Sequence, residues 1–180
     1  MNRDATPMIA IRPARADDAE ALPEIEQSAG LAFRTVPDLA WLADGDNVSA
    51  ERHRALIAEG ACWVAADDQD KPVGFLSAGI EGGALHIWEL DVRLDRQGSG
   101  IGRALLERAI EDARRRCLAA VTLTTFRDVA WNGPFYRKFG FRILEGTEID
   151  QRLAGLLNDE AEHGMPAERR CAMRLDLSRS

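Results

Sequence analysis

Apolar residues recur every three or four positions over one long stretch of the chain, which predicts an amphipathic helix beginning at Ile101. One stripe carries the apolar side chains, namely Ile101, Leu105, Leu106, Ala109, Ile110, Ala113 and Cys117. Charged residues fill the opposite face, and Glu111 stands four residues before Arg115, the spacing of a stabilising ion pair. This helix is the clearest element that the pattern predicts.

Short apolar runs bounded by turn residues predict strands before and after this helix. The predicted strands are Met8–Arg12, Ala61–Ala66, Pro72–Ile80, Leu85–Val92, Ala120–Thr125, Phe141–Glu145 and Arg170–Leu177. The polar segment Asp67–Lys71 and the pair Gly82-Gly83 predict turns between consecutive strands. Weaker helical patterns predict four further helices, which are Ala16–Ser28, Ser49–Glu59, Val129–Lys138 and Ile149–His163.

Two segments of the N-terminal half are harder to interpret than the rest. Pro23 interrupts the helical pattern of Ala16–Ser28, and we expect it to shorten or kink that helix. The segment Leu31–Asp46 fits no regular period and ends in turn residues. We therefore make no prediction of regular structure for Leu31–Asp46.

Several consecutive strands precede the main helix, so the chain does not read as a regular alternation of strand and helix. We predict an α+β fold with a mixed, mostly antiparallel central sheet flanked by helices. A length of 180 residues favours a single domain over residues 1–180, with room for a sizeable core.

The charge distribution limits the classes of ligand. The chain is 46% hydrophobic and 29% charged, a balance that excludes a largely disordered protein. Its net charge of -7 argues against nucleic-acid binding, which normally needs a basic surface. The stretch from Arg93 to Arg116 is locally basic, since it holds seven arginines against four acids. A small anionic ligand could be attracted there.

The sequence offers no sign of secretion, membrane insertion or a metal site. The N-terminal residues lack an apolar stretch that suits a signal peptide, and no run approaches ~20 apolar residues. The three cysteines and three histidines are scattered, without metal-ligand spacing. We therefore expect a cytoplasmic protein with reduced thiols, no membrane contact and no metal.

A glycine-rich turn, Gln97–Gly102, separates a predicted strand from the main helix. Glycines allow positive φ and a close approach to a ligand, and the first N–H groups of a helix lack internal partners. Together these properties favour a phosphate site, although a turn without any ligand is also compatible with the residues.

Two common nucleotide-binding fingerprints do not fit this turn. A dinucleotide motif would need glycine at position 103 or 105, where the chain has Arg103 and Leu105. The G-K-S/T of a P-loop is absent. The pattern that does fit is Q-x-x-G-x-G, formed by Gln97, Gly100 and Gly102.

At these residues the chain resembles a known family. The stretch LDVRLDRQGSGIGRALLERAIEDARRR is similar to the acyl-CoA-binding motif of the GNAT superfamily of N-acetyltransferases. Downstream, the segment from Asn132 to Phe141 resembles the superfamily's N…FY-x-K-x-GF segment. Both motifs occur in the family's order and at its usual spacing, and they extend from about Leu85 to Phe141.

The resemblance implies a GNAT-like sheet in which Leu85–Val92 and Ala120–Thr125 splay apart to form the acyl-CoA site. Acetyl-CoA would be the co-substrate, with its pyrophosphate on the backbone N–H groups of the glycine turn. The residues implied in cofactor binding are Leu90, Asp91, Val92, Gln97, Gly98, Ser99, Gly100, Ile101, Gly102, Arg103 and Asn132. Tyr136 matches the family tyrosine that protonates the departing thiolate.

Acyl transfer to an amine also needs a general base, because an alkyl ammonium has a pKa of about 10.4. Glu89 is the first candidate. By strand alternation Glu89 and Asp91 share a face, so that one carboxylate could raise the pKa of the other. An exposed strand face with two solvated acids is the alternative interpretation, and His86 is a weaker candidate base. Backbone N–H groups near Leu90 would stabilise the oxyanion.

The expected activity is acetyl transfer from acetyl-CoA to a primary amine of a small-molecule or peptide acceptor. The resemblance implies that Leu31–Glu59 and Gly146–Pro166 build the acceptor site. A non-catalytic module that senses acyl-CoA is the competing hypothesis, against which the presence of both Glu89 and Tyr136 argues. A homodimer is possible by analogy with relatives.

Overall fold

The computed structural model describes residues 8–177 of the chain. A seven-stranded sheet has the order β1-β2-β3-β4-β5-β7-β6. Its strands are β1 (Ala10–Pro13), β2 (Cys62–Ala66), β3 (Pro72–Glu81), β4 (Ala84–Val92), β5 (Ala120–Phe126), β6 (Arg142–Ile143) and β7 (Arg170–Asp176). Antiparallel ladders join β1 to β2, β2 to β3, β5 to β7 and β6 to β7, whereas β4 and β5 are parallel. The predicted α+β fold with a mixed, mostly antiparallel sheet is confirmed.

Five α-helices accompany the sheet within the described residues. They are α1 (Leu22–Gly30), α2 (Ala50–Ala58), α3 (Ile101–Arg115), α4 (Gly133–Arg137) and α5 (Gln151–Glu162). The side chains of Ser49 and Asp150 cap α2 and α5, accepting hydrogen bonds from the third backbone N–H that follows each of them. Apart from Ala16–Ser28, each predicted strand and helix is present, with boundaries moved by a few residues.

Two local predictions were wrong. Ala16–Ser28 is not one helix, because a 3-10 turn over Ala16–Glu20 precedes α1 and Pro23 lies in the first turn of α1. Proline is tolerated there because the N–H that it lacks would have no helical partner. Cys117 does not belong to the apolar stripe of α3, since it is exposed and its φ of 55° follows the end of the helix.

The parallel ladder between β4 and β5 is short. It pairs Ala84–His86 with Ala120–Thr122 and goes no further in the described chain, although both strands continue. Both strands extend beyond the ladder that they share, as expected for strands that splay apart. Along its other edge β5 is paired with β7 over its whole length, from Ala120 to Phe126.

The chain divides into two compact units. The first contains the residues up to Gly79 together with Glu89–Asp112. Leu22 and Ile25 of α1 pack there against Val64 of β2 and Phe75 of β3. The apolar stripe of α3 is buried as predicted, and Leu105, Leu106 and Ala109 have no exposed surface.

The second unit contains Ile80–Trp88 and the residues from Ala113 onward. Leu153 of α5 packs there against Leu144 and against Ala172 of β7. Helix α5 also makes polar contacts with the sheet, since Glu160 accepts a hydrogen bond from Thr124 and forms a bidentate ion pair with Arg170. The prediction that residues 1–180 form a single domain stays a prediction.

Candidate active site

The glycine turn has the backbone geometry that its sequence predicts. Gly98 and Gly100 have φ angles of 75° and 86°, a region that side-chain-bearing residues rarely adopt. The N–H of Ala104 donates to the carbonyl of Gly100, 3.0 Å away, so helical bonding begins directly after the turn. The preceding N–H groups therefore have no partner within the helix, and the positive end of α3 lies at this turn.

Polar contacts hold the turn against the end of β4. The Gln97 side-chain amide donates to the carbonyl of Val92 at 3.0 Å, and the hydroxyl of Ser99 donates to the carbonyl of Arg96 at 2.5 Å. Gly74 of β3 makes room for the same strand end. A Cβ at Gly74 would stand 3.0 Å from the carbonyl oxygen of Asp91 and 3.2 Å from a methyl group of Val92.

The arginines around the turn already have acidic neighbours. Arg93 pairs with Glu24 and Asp95, each at 3.2 Å, and Arg103 pairs with Glu107 at 2.8 Å. Exposed pairs of this kind contribute little to stability, so their cations stay accessible to a competing anion. Asp95 and Glu107 belong to the basic stretch itself, so only Glu24 adds an acid from outside it, and the local basic balance is reduced but not removed.

A pocket of about 440 Å³ adjoins the turn. Ile9 and Ile11 at the N-terminal edge line it, together with Ile101 and Ala104 of α3 and residues of the segment Asp95–Gly100. The sequence analysis did not anticipate this pocket, because nothing local links β1 to the start of α3.

The C-terminal half of β4 contains both candidate bases, Glu89 and Asp91. Glu89, Leu90 and Asp91 are half-buried, and Val92 is buried. Desolvation by burial, followed by the negative charge of Glu26, raises the pKa of Asp91 to about 7. The predicted rise in a carboxylate pKa is found at Asp91, and Glu26 of α1 is an acidic neighbour that contributes to it.

Glu26 is itself held by two elements. Its carboxylate accepts a hydrogen bond from the N–H of Val48, at 3.0 Å to one oxygen and 3.2 Å to the other. One of those oxygens lies 3.5 Å from Nε2 of His53, a fully buried side chain of α2. The His53 ring packs edge-on against Phe75, with 5.2 Å between the ring centroids. Sequence reasoning missed Glu26 and His53, because no motif marks them.

In the second unit, Tyr136 lies on α4 with its side chain 7% exposed. Its ring packs against Phe135 and Phe141, with centroid distances of 5.2 and 5.6 Å. The N–H of Tyr136 donates to the carbonyl of Asn132 at 3.1 Å, and the Asn132 amide donates to the carbonyl of Trp131 at 3.3 Å. The predicted pair Asn132 and Tyr136 is thus brought together by one turn of helix.

The start of α4 depends on a close approach between backbones. A Cβ at Gly133 would stand 2.7 Å from the carbonyl oxygen of Arg127, closer than any real Cβ contact. Only glycine fits this position without a shift of the chain. Steric crowding therefore requires glycine at position 133, a requirement that the motif alone does not reveal.

A polar cluster in the second unit joins β4, β5 and α5. Nδ1 of His86 lies 2.9 Å from the hydroxyl of Thr122, and the ring of His86 packs against Trp88 with 4.4 Å between centroids. Arg152 donates from Nη2 to the same hydroxyl at 3.3 Å. Burial, and then the positive charge of Arg152, lowers the pKa of His86 to about 4. His86 is therefore neutral near pH 7.

The predicted site residues fall into both compact units. Glu89–Val92 and Gln97–Arg103 belong to the first unit, and Asn132 and Tyr136 belong to the second.

Residues 8–177 contain no group of three or more histidine, cysteine, aspartate or glutamate side chains placed to hold a metal ion. No helix among these residues is long and apolar enough to cross a membrane.

Comparison with known proteins identifies the class. The model of the Acetyltransferase (GNAT) family matches residues 24–141. The peptidyl-lysine N-acetyltransferase YjaB of Salmonella typhimurium is 29% identical over 143 residues, which cover 79% of this chain and 90% of that protein. Together with the sheet, these matches define the chain as an acyl-CoA-dependent acetyltransferase.

Solved structures show the same fold at low sequence identity. The PaiA N-acetyltransferase of Thermoplasma acidophilum, solved in complex with coenzyme A, has a TM-score of 0.70 at 16% identity, covering 94% of this chain and 99% of its own. The ribosomal-protein-S18-alanine N-acetyltransferase of Escherichia coli has a TM-score of 0.68 at 18% identity, covering 96% of each chain. The chain belongs to the GNAT acetyltransferase family, and the resemblance seen in its motifs is confirmed.

Proposed function

We propose that this chain transfers the acetyl group of acetyl-CoA to a primary amine by direct attack. The observation that carries the proposal is the turn Gln97–Gly102, whose two left-handed glycines open α3 in a member of an acetyltransferase family. The coenzyme A complex of the Thermoplasma relative supports the same donor.

The donor is held by backbone groups. N–H groups from Gln97 to Gly102 bind the pyrophosphate at the positive end of α3, and Ser99 and Arg103 flank it. N–H groups of Leu90 to Val92 face the pantetheine arm and the thioester carbonyl, which becomes an oxyanion in the transition state. Asn132 contacts the cofactor from the start of α4.

The amine must lose a proton before it attacks. Glu89 and Asp91 are the two proposed bases on β4, acting directly or through a water molecule. The raised pKa of Asp91 suits a group that must hold a proton near neutral pH and release it. The amine nitrogen then bonds to the carbonyl carbon, and the intermediate collapses with cleavage of the carbon–sulfur bond.

Tyr136 is the proposed acid for the departing thiolate. Its hydroxyl gives a proton to the sulfur and regains one from solvent. A thiolate is already a fair leaving group, since a model thiol has a pKa of about 8.5. Protonation by Tyr136 therefore accelerates the step without being indispensable to it.

The acceptor is a primary amine of a small molecule or a peptide. The Salmonella relative is named a peptidyl-lysine N-acetyltransferase, which supports a lysine side chain as one acceptor.

Thiol release from acetyl-CoA, measured against a panel of amines and lysine peptides, tests the proposal. We expect release that depends on an amine, with one acetyl group added to the acceptor by mass spectrometry. Tight acetyl-CoA binding without release for any amine would favour the acyl-CoA sensor. Release that no amine stimulates would indicate hydrolysis and contradict N-acetyl transfer.

A further inference from the structure

His53 of α2 is a buried side chain whose polar atoms the fold does not satisfy. The side chain has no exposed surface, and neither Nδ1 nor Nε2 has a hydrogen-bond partner among residues 8–177. Its edge-on contact with Phe75 could equally be made by leucine or phenylalanine. Because burying polar atoms without partners is unfavourable, packing alone gives no reason for a histidine at this position.

His53 faces the carboxylate of Glu26 within the first unit. One oxygen of Glu26 lies 3.5 Å from Nε2 of His53, which is longer than an ordinary N–H···O bond of about 2.9 Å. Both oxygens also accept from the N–H of Val48, so the carboxylate is anchored on another side. A small movement of the imidazole would therefore make Nε2 a second donor to an already fixed acceptor.

Helix α1, which carries this carboxylate, lies over the face of the sheet that contains Asp91. Strands β3 and β4 are joined by a two-residue turn and are therefore antiparallel, and the N–H of Arg93 donates to the carbonyl of Val73 at 3.0 Å. Two residues from this bond, Phe75 and Asp91 lie opposite each other on one face. Phe75 packs against the apolar residues of α1, and Arg93 pairs with Glu24 of the same helix.

The two carboxylates on this side of the sheet, Glu26 and Asp91, lack a cationic partner. In the described part of the chain neither has a lysine or arginine nitrogen within 4.0 Å. The flanking charged groups on the packed elements pair with one another, namely Glu20 with Arg54 and Glu24 with Arg93. The charge of Glu26 contributes, after burial, to the raised pKa of Asp91. His53 is the group placed to offset that charge.

We propose that His53 is a positioning residue for the candidate base: it donates from Nε2 to Glu26 and thereby limits how strongly the charge of Glu26 acts on Asp91. This inference rests on the proposed acetyl transfer, in which Asp91 is one of the two bases that can accept the amine proton. A neutral imidazole with its hydrogen on Nε2 is sufficient, since a hydrogen bond to a carboxylate stabilises its negative charge. Without that donor, Glu26 would favour the protonated form of Asp91, and less of the free base would be present near neutral pH.

Amide side chains of two lengths separate donation from packing. Glutamine places its nitrogen near the position of Nε2 and asparagine near that of Nδ1, so only His53→Gln retains a donor toward Glu26. We expect the titration midpoint of Asp91 to rise by about 1 pH unit in His53→Asn and in His53→Leu. It should stay near the parent value in His53→Gln. Ile25→Val is the matched control for a loosened core, because Ile25 packs in the same cluster as Phe75, and it should leave the midpoint in place.

Carbon-13 NMR of the aspartate carboxyl groups measures that midpoint without turnover. The signal of Asp91 is identified by its loss in Asp91→Asn, and circular dichroism establishes that each variant is folded. If Asp91 is the base, the acidic limb of the kcat profile should move to higher pH in the same two variants. In a Glu26→Gln background, His53→Leu should cause no further shift, because the proposed effect acts through the Glu26 charge.

Three results would overturn the inference. They are an unchanged Asp91 midpoint in His53→Leu, a midpoint in His53→Gln as high as in His53→Asn, and a shift that persists in the Glu26→Gln background. If the parent acetylates no amine, the proposed function fails, whereas the NMR titrations still decide the role of His53. If turnover is normal and the midpoints do not respond to His53, the proposed function stands and this inference fails.

Discussion

The carboxylate of Glu26 lies 3.5 Å from Nε2 of His53, and both side chains belong to the helices that precede the first hairpin. The same carboxylate is a cause of the raised pKa of Asp91 on β4. The candidate base is therefore influenced by a residue 65 positions earlier in the sequence.

If Asp91 is the base, turnover should rise with pH as Asp91 loses its proton near pH 7. Glu26→Gln removes a negative charge that raises this pKa, so the acidic limb of the kcat profile should move to lower pH. Glu24→Gln, on the same helix but at an exposed position, should leave the limb in place. Asp91→Asn should abolish the limb.

The competing base is tested in the same series. Glu89→Gln should reduce turnover but retain the limb if Asp91 titrates. Should Glu89→Gln remove the limb while Asp91→Asn retains it, Glu89 is the base and Asp91 has a structural role.

Asp91 should also make stability depend on pH. Its pKa is raised in the folded state, so between its ordinary value of about 3.9 and about 7 the folded chain binds more protons than the unfolded chain. Folding stability from this group is therefore lost as pH rises through that window. The free energy of unfolding gained by Asp91→Asn should be larger at pH 8 than at pH 5 in urea titrations. The exposed control Asp38→Asn should show no such increase.

Gly100→Glu should abolish acetyl-CoA binding, because it adds bulk and a negative charge where the pyrophosphate lies. Gly60→Glu is a matched control for backbone strain, since the φ angles are 86° at Gly100 and 81° at Gly60 and neither Cβ would meet an atom within 4 Å. Both variants should lose about the same stability in thermal melts. Calorimetric affinity for acetyl-CoA should fall only in Gly100→Glu, and equal affinities would place the pyrophosphate elsewhere.

Tyr136→Phe should lower kcat by at least about tenfold, the low side of the range for general-acid help. Acetyl-CoA affinity should change much less, since a neutral hydrogen bond contributes about 1 kcal/mol. The ring contacts with Phe135 and Phe141 are kept, so the packing of α4 should be preserved. Weak binding with normal turnover at saturation would instead make Tyr136 a residue that positions the cofactor.

Gly133→Ala should destabilise the protein and reduce kcat, because its Cβ would stand 2.7 Å from the backbone oxygen of Arg127 and displace α4. Gly155→Ala should have the opposite effect on stability. Its Cβ would meet nothing within 4 Å in the interior of α5, so it should stabilise by about 1 kcal/mol. Chemical denaturation and steady-state kinetics measure both variants. A Gly133→Ala protein as stable and active as the parent would show that the start of α4 tolerates displacement.

Much of the fold was predictable because its signals are local. The apolar positions of α3 recur within a helix of 15 residues. The glycines of the turn Gln97–Gly102 indicate the start of that helix by residue type alone. Ser49 and Asp150 mark helix starts by a hydrogen bond to a neighbour three residues away. Pro23 was expected to shorten or kink the helix, and α1 is shorter, but its start at Leu22 could not be placed because a proline in the first turn and a proline inside a helix look alike in sequence.

The sequence by itself determined the class of the protein and the glycine turn, because both depend on short local motifs, and it predicted Glu89, Asn132 and Tyr136 as site residues. Only the tertiary structure decided which groups from distant parts of the chain lie beside Asp91 and Thr122. It brings Glu26 of α1 close to Asp91 of β4, and Arg152 of α5 within 3.3 Å of Thr122. The reason is that desolvation and Coulomb interactions depend on distance in space, and contacts between residues far apart in the chain leave no periodic or local trace in one sequence.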